Sequence, residues 1–148
     1  MGKRIDIEAI PTEVGSRYPP PLHEPVRERI RRRLGDAAGL TQFGVNLVRL
    51  PPGAWSSQRH WHTAEDEFVF VLEGEAVLVT ESGEEVLRPG DCAGFAAGEP
   101  DGHHLQNRSE RDVLLLEVGS RNPQGWCHYS DVDMVGPPHG DPSPLTRR

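Results

Sequence analysis

The chain has 148 residues and a formal net charge of −7, which is the size of one domain with a single core and excludes a general binder of nucleic-acid phosphates. It contains no run of about 18 apolar residues that could span a membrane, and its N-terminus lacks the apolar stretch of a signal peptide. We therefore expect a cytoplasmic protein with no nucleic-acid or membrane partner. Cys92 and Cys127 are far apart and form no CxxC pair, which favours reduced thiols.

Residues 1–39 are predicted to form an N-terminal arm that is partly extended. Four prolines within the first 21 residues favour extended backbone and exclude a regular helix there. The following sequence EPVRERIRRRLG could form a helix begun by Pro25 and ended by Gly35, or a strand, because Ile30 and Leu34 fit an alternating pattern. We favour the strand, and we interpret its arginines as solvated or interface-lining residues rather than a nucleic-acid patch.

Residues 40–120 are predicted to form an all-β body. The apolar runs TQFGVNLVRL, FVFVLEGEAVLVT, EVLRPGD, CAGF, HHLQN and DVLLLEVG are short and are separated by turn residues. Strands this short and evenly spaced are typical of a sandwich or a barrel. Residues 121–148 are rich in Pro and Gly, so we predict a poorly structured tail that is ordered only where Trp126, Tyr129 and Met134 contact a surface.

The sequence RHWHTAEDEF at residues 59–68 contains the first candidate ligands for a metal ion. On a strand, His60 and His62 point to the same face, so both imidazoles can contact one ion. Glu67 begins the next strand and shares a face with Val69, which places a carboxylate at the mouth of an apolar interior. An isolated charge is costly there, and a cation would offset that cost.

A second histidine pair, His103 and His104, opens a later strand that ends at Asn107. Three imidazoles and one carboxylate from separate strands form a site suited to Fe(II), Mn, Ni, Cu or Zn. A His-x-His pair alone is a weak signal, because histidines also occur on many polar surfaces. The glutamate and the second histidine group together favour the metal site.

Two stretches of the sequence resemble the two motifs of the cupin superfamily, and the wider similarity, over about residues 25–120, is to a branch of small bacterial single-domain cupins. The first stretch is Gly53-x6-His60-x-His62-x4-Glu67-x6-Gly74, and the second is Gly90-x5-Ala96-x-Gly98 with His103-x3-Asn107. The spacing of the first motif assigns Glu67, rather than Glu65 or Asp66, as the carboxylate ligand.

The second motif departs from the usual pattern, because alanine replaces a proline and four residues instead of two separate Gly98 from the first histidine. A forward count from Gly98 gives Asp101 as the ligand, and a backward count from Asn107 gives His103. We favour His103, because it then shares the inward face of a strand with Asn107 while His104 faces outward. His104 and Asp101 stay as alternatives.

The resemblance implies a single jelly-roll β-barrel with a divalent transition metal at one mouth, held by His60, His62, Glu67 and His103. Apolar side chains on the inward faces of the strands, or their neighbours if the register shifts by one residue, are expected to fill the interior. These residues are Val69, Val71, Val77, Val79, Phe95, Leu105, Leu114 and Leu116. Exposed strand edges and a proline-rich arm favour a homodimer in which residues before Leu40 reach the partner.

Cupins include oxygenases, isomerases, epimerases, lyases and proteins that only bind a small molecule, so the fold alone does not select a reaction. Four protein ligands leave one or two open positions on an ion that prefers five or six, where a substrate oxygen, water or O₂ could bind. We therefore expect a metal-dependent enzyme, an oxygenase, isomerase or lyase, that acts on a small polar oxygenated molecule. The alternative is a non-catalytic cupin that binds or senses a small ligand in the same pocket.

Overall fold

The computed structural model of the protein describes residues 2–137 and is almost entirely β-structure, as predicted. The tail predicted to be poorly structured comprises residues 121–148: its part beyond residue 137 lies outside the described residues, whereas Cys127–Tyr129 and Val135–Gly136 form short strands. Residues 2–137 contain one helical turn, α1 (Leu34–Ala37), and two 3-10 turns, Ile7–Ala9 and Glu24–Val26. They also contain the strands β1 (Glu13–Val14), β2 (Ile30–Arg33), β3 (Phe43–Leu50), β4 (His60–His62), β5 (Glu67–Glu73), β6 (Ala76–Thr80), β7 (Gly83–Leu87), β8 (Cys92–Phe95), β9 (His104–Gln106), β10 (Val113–Ser120), β11 (Cys127–Tyr129) and β12 (Val135–Gly136).

Two sheets with a shared core form the barrel. The larger sheet has six strands in the order β1-β2-β3-β10-β5-β8, and the smaller one has three in the order β7-β6-β9. A third sheet, β12-β11-β4, meets the smaller one where the backbones of His60 and His103 form a bridge. The strand pairs within residues 2–137 are antiparallel. Buried side chains from the two barrel sheets form one hydrophobic cluster, so the predicted jelly-roll barrel is confirmed.

Strand β2 decides between the two interpretations of residues 25–34, because its four residues are extended, as we favoured. It pairs with β3, with Arg31 opposite Val48 and Arg33 opposite Asn46. Val48 is fully buried, so Arg31 and Arg33 lie on the inward face of the large sheet. β1 adds to the other edge of β2, and the N-terminal residues therefore extend the sheet.

The core confirms part of the predicted interior. Val69, Val71 and Leu105 are buried, with exposures of 2%, 0% and 3%. Phe95 is partly buried and packs against the same core. The strand of Val69 and Val71 begins at the polar Glu67, and Leu105 lies between the polar His104 and Gln106, and these patterns indicate the inward face.

In β6 and β10 the structure has the alternative register, shifted by one residue from the one we favour. Their buried side chains are the neighbours of those predicted, because each strand is shifted by one position. The buried ones are Ala76, Leu78, Val113 and Leu115, in place of Val77, Val79, Leu114 and Leu116. Both strands are apolar on both faces, so their sequences contain no alternation that fixes the register.

Two cross-strand rows on the inner face of the large sheet lead from the core to the barrel mouth. The row next to the core places Asn46 of β3 opposite Glu117 of β10. The outer row places Glu67 of β5 opposite Gly119 of β10, which in turn pairs with Gly44 of β3. A Cβ at Gly119 would lie 3.8 Å from Cγ of Glu67, and a Cβ at Gly44 would lie 3.5 Å from the guanidinium of Arg121, so the two glycines leave room for these side chains.

The C-terminal strands close one side of this mouth. β11 pairs with both β4 and β12, and Cys127, Tyr129 and Met134 form a second buried cluster with side chains of the N-terminal arm. Tyr129 and Met134 therefore contact a surface as predicted, whereas Trp126 is 45% exposed. Both cysteines are free, and Cys92 is exposed. No helix within residues 2–137 is long and apolar enough to cross a membrane.

Candidate metal site and cavity

The structure brings the four predicted ligands together at the barrel mouth. His60 and His62 lie on β4, Glu67 begins β5, and His103 directly precedes β9. The Nε2 atom of His103 lies 3.0 Å from Oε2 of Glu67, and Nε2 of His60 lies 3.3 Å from Oε1. Nε2 of His62 is also in contact with Oε1. Three imidazoles thus face one carboxylate.

The donor atoms of this cluster fit a metal ion. Oε1 of Glu67 is buried and faces the Nε2 atoms of two imidazoles, those of His60 and His62. A buried anionic oxygen is costly unless a cation lies beside it. Nδ1 of His60 is 2.8 Å from the carbonyl oxygen of Gln58 and 3.2 Å from the hydroxyl of Ser57. Donation by Nδ1 to that carbonyl leaves the Nε2 lone pair free for a metal.

His60 and Glu67 shift each other's pKa in the metal-free protein. Burial lowers the pKa of His60, but the charge and hydrogen bond of the Glu67 carboxylate outweigh that effect and raise it. Burial raises the pKa of Glu67, but the charge of His60 and the hydrogen bonds of the three imidazoles hold it well below its ordinary range. The site therefore favours positive charge beside an ionised Glu67.

His104, the first alternative to His103, takes no part in the cluster. Its Nδ1 lies 2.8 Å from the carbonyl oxygen of Ser57, and its Nε2 lies 3.0 Å from the side-chain nitrogen of Gln106. The expectation that this ring faces outward to solvent is wrong, because His104 is only 4% exposed. Its burial lowers its pKa, and its two nitrogens are already engaged away from Glu67.

Asp101, the second alternative, directs its carboxylate away from the cluster, where it accepts a hydrogen bond from the backbone N–H of Glu81. His103 itself is held by Phe95, whose ring stacks on the imidazole with a centroid distance of 3.6 Å and an interplanar angle of 3°. Of the three residues considered in the second motif, the structure brings His103 to Glu67.

Cys127 is a further candidate ligand that the sequence did not indicate. It pairs directly with His62 across β11 and β4, and its sulfur lies within 4.8 Å of ligating nitrogens of His60 and His62. Burial raises the pKa of its thiol to about 12, so the thiol is protonated in the metal-free protein. The pairing joins positions 62 and 127, and neither strand carries a local motif that predicts it.

A cavity of about 860 Å³ opens beside the cluster. This volume is within the usual range for sites that bind small molecules. Arg29, Arg31 and Arg33 contribute to its wall together with the four predicted ligands. The interpretation of these arginines as solvated or interface-lining residues therefore needs correction, because they line the interior space of the barrel.

Glu117 is a further carboxylate in the wall of this cavity, in addition to Glu13, Glu65 and Glu67. Burial raises the pKa of its carboxyl, and the charges of Arg29 and Arg31 oppose that rise. A signal was present in the sequence DVLLLEVGS, because Glu117 follows the buried Leu115 at a spacing of two and thus shares its inward face. The register that we favour for β10 hid this signal.

Solved structures support the architecture. A sugar phosphate isomerase of the cupin superfamily from Silicibacter pomeroyi has 46% identity over 99% of this chain and 93% of its own, with a TM-score of 0.91. A protein described as a candidate sugar phosphate isomerase from Acidithiobacillus ferrooxidans has 30% identity over 81% of this chain and 76% of its own, with a TM-score of 0.74. The polyketide cyclase RemF from Streptomyces resistomycificus, at 24% identity over 81% of this chain and 80% of its own, shares the fold with a TM-score of 0.65.

A comparison with curated protein sequences gave no match. The family model of the cupin domain matches residues 46–119, which extend from β3 to β10. This range contains Glu67, its three imidazole neighbours and Glu117. The family model matches half of the chain, and a solved cupin of similar length has 46% identity over nearly the complete chain. The protein therefore belongs to the cupin superfamily.

Proposed function

We propose that the protein is a metal-dependent isomerase of a small phosphorylated sugar, in which His60, His62, Glu67 and His103 hold a divalent transition metal ion. The observation that carries this proposal is the convergence of three imidazole Nε2 atoms on the buried carboxylate of Glu67. Fe(II), Mn, Ni, Cu and Zn all accept such a donor set. When bound, the metal would supply a Lewis acid that polarises the hydroxyl and carbonyl oxygens of the substrate.

Glu117 is placed to move the proton that an isomerisation transfers between neighbouring carbon atoms. It lines the cavity, and it lies in the cross-strand row next to that of Glu67. Because burial raises its pKa, its carboxyl is a better proton acceptor than a solvated one and can return the proton afterwards. The isomerisation transfers one proton between the two carbon atoms and one between their oxygens, so it needs no oxidant or reductant.

The choice of reaction and substrate rests on the relatives and on the charge of the cavity. The Silicibacter pomeroyi protein that shares 46% identity is named a sugar phosphate isomerase. Five arginines and four glutamates line the cavity, so its charged side chains carry a small positive excess although the net charge of the chain is −7. Such a local excess of positive charge favours an anionic ligand over a neutral one.

Metal content and isomerase activity test this proposal together. The parent protein is expected to retain about one metal ion per chain, whereas His62→Ala and Glu67→Gln lose most of it. A panel of phosphorylated aldoses and ketoses, followed by NMR, is expected to show interconversion by the parent. Glu117→Gln is expected to keep its metal and lose about 100-fold or more in rate, because it lacks the proton acceptor.

His128→Ala is the matched control, because His128 lies on β11 and stacks on Trp61 outside the cluster. This variant and His104→Ala should retain the metal. If His104→Ala empties the site and His103→Ala leaves it full, the ligand assignment is wrong. If the parent binds metal and a sugar phosphate but converts none of the panel, the protein is a non-catalytic binding cupin.

We further propose a homodimer formed through the outer face of the large sheet. Apolar residues lie opposite one another on this face across the neighbouring strands β3, β10 and β5. Val118 of β10 lies between Val45 and Phe68, and Leu116 lies between Leu47 and Phe70. Phe68 and Leu72 are 40% and 39% exposed, and a broad apolar face on a single chain is typical of a protein interface. β2 adds Ile30 and Arg32 to this face, opposite Arg49 and Leu47, so residues before Leu40 would also reach the partner.

A further inference from the structure

The cavity wall formed by β1 and β2 has more guanidinium groups than carboxylates to pair with them. Arg31 and Arg33 share the single carboxylate of Glu13. The Nε atom of Arg33 donates to Oε1 of Glu13 at 2.8 Å, and Nη2 of Arg31 donates to Oε2 at 3.2 Å. Glu13 pairs directly with Arg31 across the two strands, so these side chains lie on one face of the sheet.

Arg29 adds a third guanidinium to this wall. Its Nη1 and Nη2 atoms donate to the backbone carbonyls of Ser56 at 2.6 Å and of Gly15 at 2.9 Å. Both acceptors are neutral, so neither contact neutralises the charge of Arg29. Its Nε atom is buried and has no hydrogen-bond partner within residues 2–137. The backbone therefore fixes Arg29 in place, and the three guanidinium groups outnumber the two carboxylates that interact with them, Glu13 and Glu117.

The carboxylate of Glu13 occupies the position that an anionic ligand would take. Its two oxygens contact two different guanidinium groups, which is also how arginines hold the oxygens of a phosphate group. The side chain of Glu13 is 46% exposed. Solvent therefore weakens both ion pairs, and a rotation of this one side chain would open the position.

We propose that Arg31 and Arg33, together with Arg29, bind the phosphate group of the substrate, and that Glu13 occupies this subsite until a phosphate displaces it. The inference rests on the proposed function, because it takes the reacting end of the same molecule to lie at Glu67. A phosphate carries more negative charge than a carboxylate and offers three oxygens to the guanidinium groups, so it competes well with Glu13.

The order of the strands separates the two ends of the substrate. β3 and β10 lie between β2, which carries the arginines, and β5, which carries Glu67. Three strand spacings amount to about 14 Å between the two backbones, and the side chains reach inward from each. A molecule with its carbonyl at one end and its phosphate at the other suits this arrangement.

Calorimetric titration of the purified protein with inorganic phosphate tests the subsite without any turnover. Arg31→Ala and Arg33→Ala are each expected to weaken phosphate binding by about tenfold or more. Glu13→Gln is expected to strengthen it by roughly threefold to tenfold, because the competing charge is gone. Arg49→Ala is the matched control, since Arg49 pairs with Asp112 and is 41% exposed, and it should bind phosphate as the parent does.

The response of Glu13→Gln separates this proposal from a purely structural role of the ion pairs. If Glu13 only stabilised the pairing of β1 with β2, its substitution would leave phosphate binding unchanged or weaken it. Either result would contradict the proposal that phosphate displaces Glu13 from the arginines. Phosphate binding that survives in Arg31→Ala and Arg33→Ala overturns the subsite, as does acetate binding as tight as that of phosphate. The metal content of every variant is measured in parallel. Normal phosphate binding in a parent that lacks isomerase activity would reject the proposed function and leave the subsite standing.

Discussion

The two ring nitrogens of His60 have different partners, and this difference determines how the ring can act. Nδ1 faces the carbonyl oxygen of Gln58, and Nε2 faces Glu67. Gln58 is itself held by the N-terminal arm, because its backbone N–H donates to the hydroxyl of Tyr18 and its side chain donates to the carbonyl of Leu22. The arm therefore helps to orient a proposed metal ligand, although it lies about 40 residues away in sequence.

Metal affinity is expected to fall as the pH is lowered, because a proton and a metal compete for Nε2 of His60. Glu67 raises the pKa of this imidazole above its ordinary value of 6.5. The affinity should therefore keep rising with pH beyond 6.5 and become constant only above the raised pKa. Glu67 adds no dependence in this range, because its own pKa is held well below 4.5. Titration with Zn²⁺ at several pH values measures the profile.

NMR titration of the metal-free protein provides the control for this prediction. The midpoint of His60 should lie above 6.5 in the parent and should fall in Glu67→Gln, since the neighbouring negative charge is removed. An equal midpoint in both proteins would show that Glu67 does not govern His60. Metal affinity that does not change with pH would contradict the competition itself.

The fixed position of Asn107 explains why a backward count from Asn107 leads to His103, whereas a forward count from Gly98 does not. Asn107 is 1% exposed, and its side-chain nitrogen donates to the carbonyls of Leu50 and Arg111, so its position in the barrel is fixed. The segment after Gly98 is a loop, which accepts extra residues without moving the strand. Cys127, in contrast, reaches the cluster through a long-range strand pairing that no local pattern predicts.

The strands differ in how clearly their sequences indicate the buried face. In β5, Glu67 leads into Val69 and Val71 on one face, and that face was identified correctly. β10 has the sequence VLLLEVGS, in which both faces are apolar, and its observed register is the alternative to the one we favour. The inner face of β10 packs in the core, and its outer face belongs to the proposed dimer interface. Both faces therefore need apolar side chains, and the sequence shows no alternation of polar and apolar residues. The inward position of Glu117 was missed for the same reason.

The turn between β5 and β6 depends on Gly74. Its φ is +78°, and a Cβ at this position would lie 2.4 Å from the carbonyl oxygen of Asp112. Gly74→Ala is therefore expected to lower the free energy of unfolding through both backbone strain and a steric clash. Gly90 has a φ of +93° and open space around its Cβ position, so Gly90→Ala should show the strain alone, about 1–3 kcal/mol. Chemical denaturation of both variants measures the difference, and equal losses would contradict the role of the clash.

For the complete molecule, light scattering is expected to give a mass of about twice the 16.4 kDa of one chain. Phe68→Glu should shift the mass toward that of the monomer, because it places a charge in the apolar outer face of the large sheet. Val86→Glu is the matched control on the small sheet, since Val86 and Phe68 have similar exposures of 42% and 40%. A monomeric parent, or a dimer that Phe68→Glu leaves intact, would reject this interface.

Removal of the metal is expected to leave the barrel folded and to lower its melting temperature. The hydrophobic core is continuous without the Glu67 cluster, so the fold does not depend on the ion. A ligand that binds only the native state still stabilises it, by about 2.7 kcal/mol at 100 times its dissociation constant. Chelation should therefore lower the melting temperature of the parent by several degrees and leave that of Glu67→Gln unchanged. Unfolding of the chelated parent would contradict this prediction.

The pairing of β4 with β11 also has a consequence for the order of events during folding. His60 pairs with Tyr129 and forms a bridge with His103, so its strand has backbone partners 69 and 43 residues further along the chain. Contacts of such long sequence separation form slowly, because a large loop must close before they are made. We expect that a chain emerging from the ribosome cannot capture an ion at this site until most of its barrel has assembled. Metal added to a refolding reaction should then leave the early phases unchanged and be taken up only with the last one.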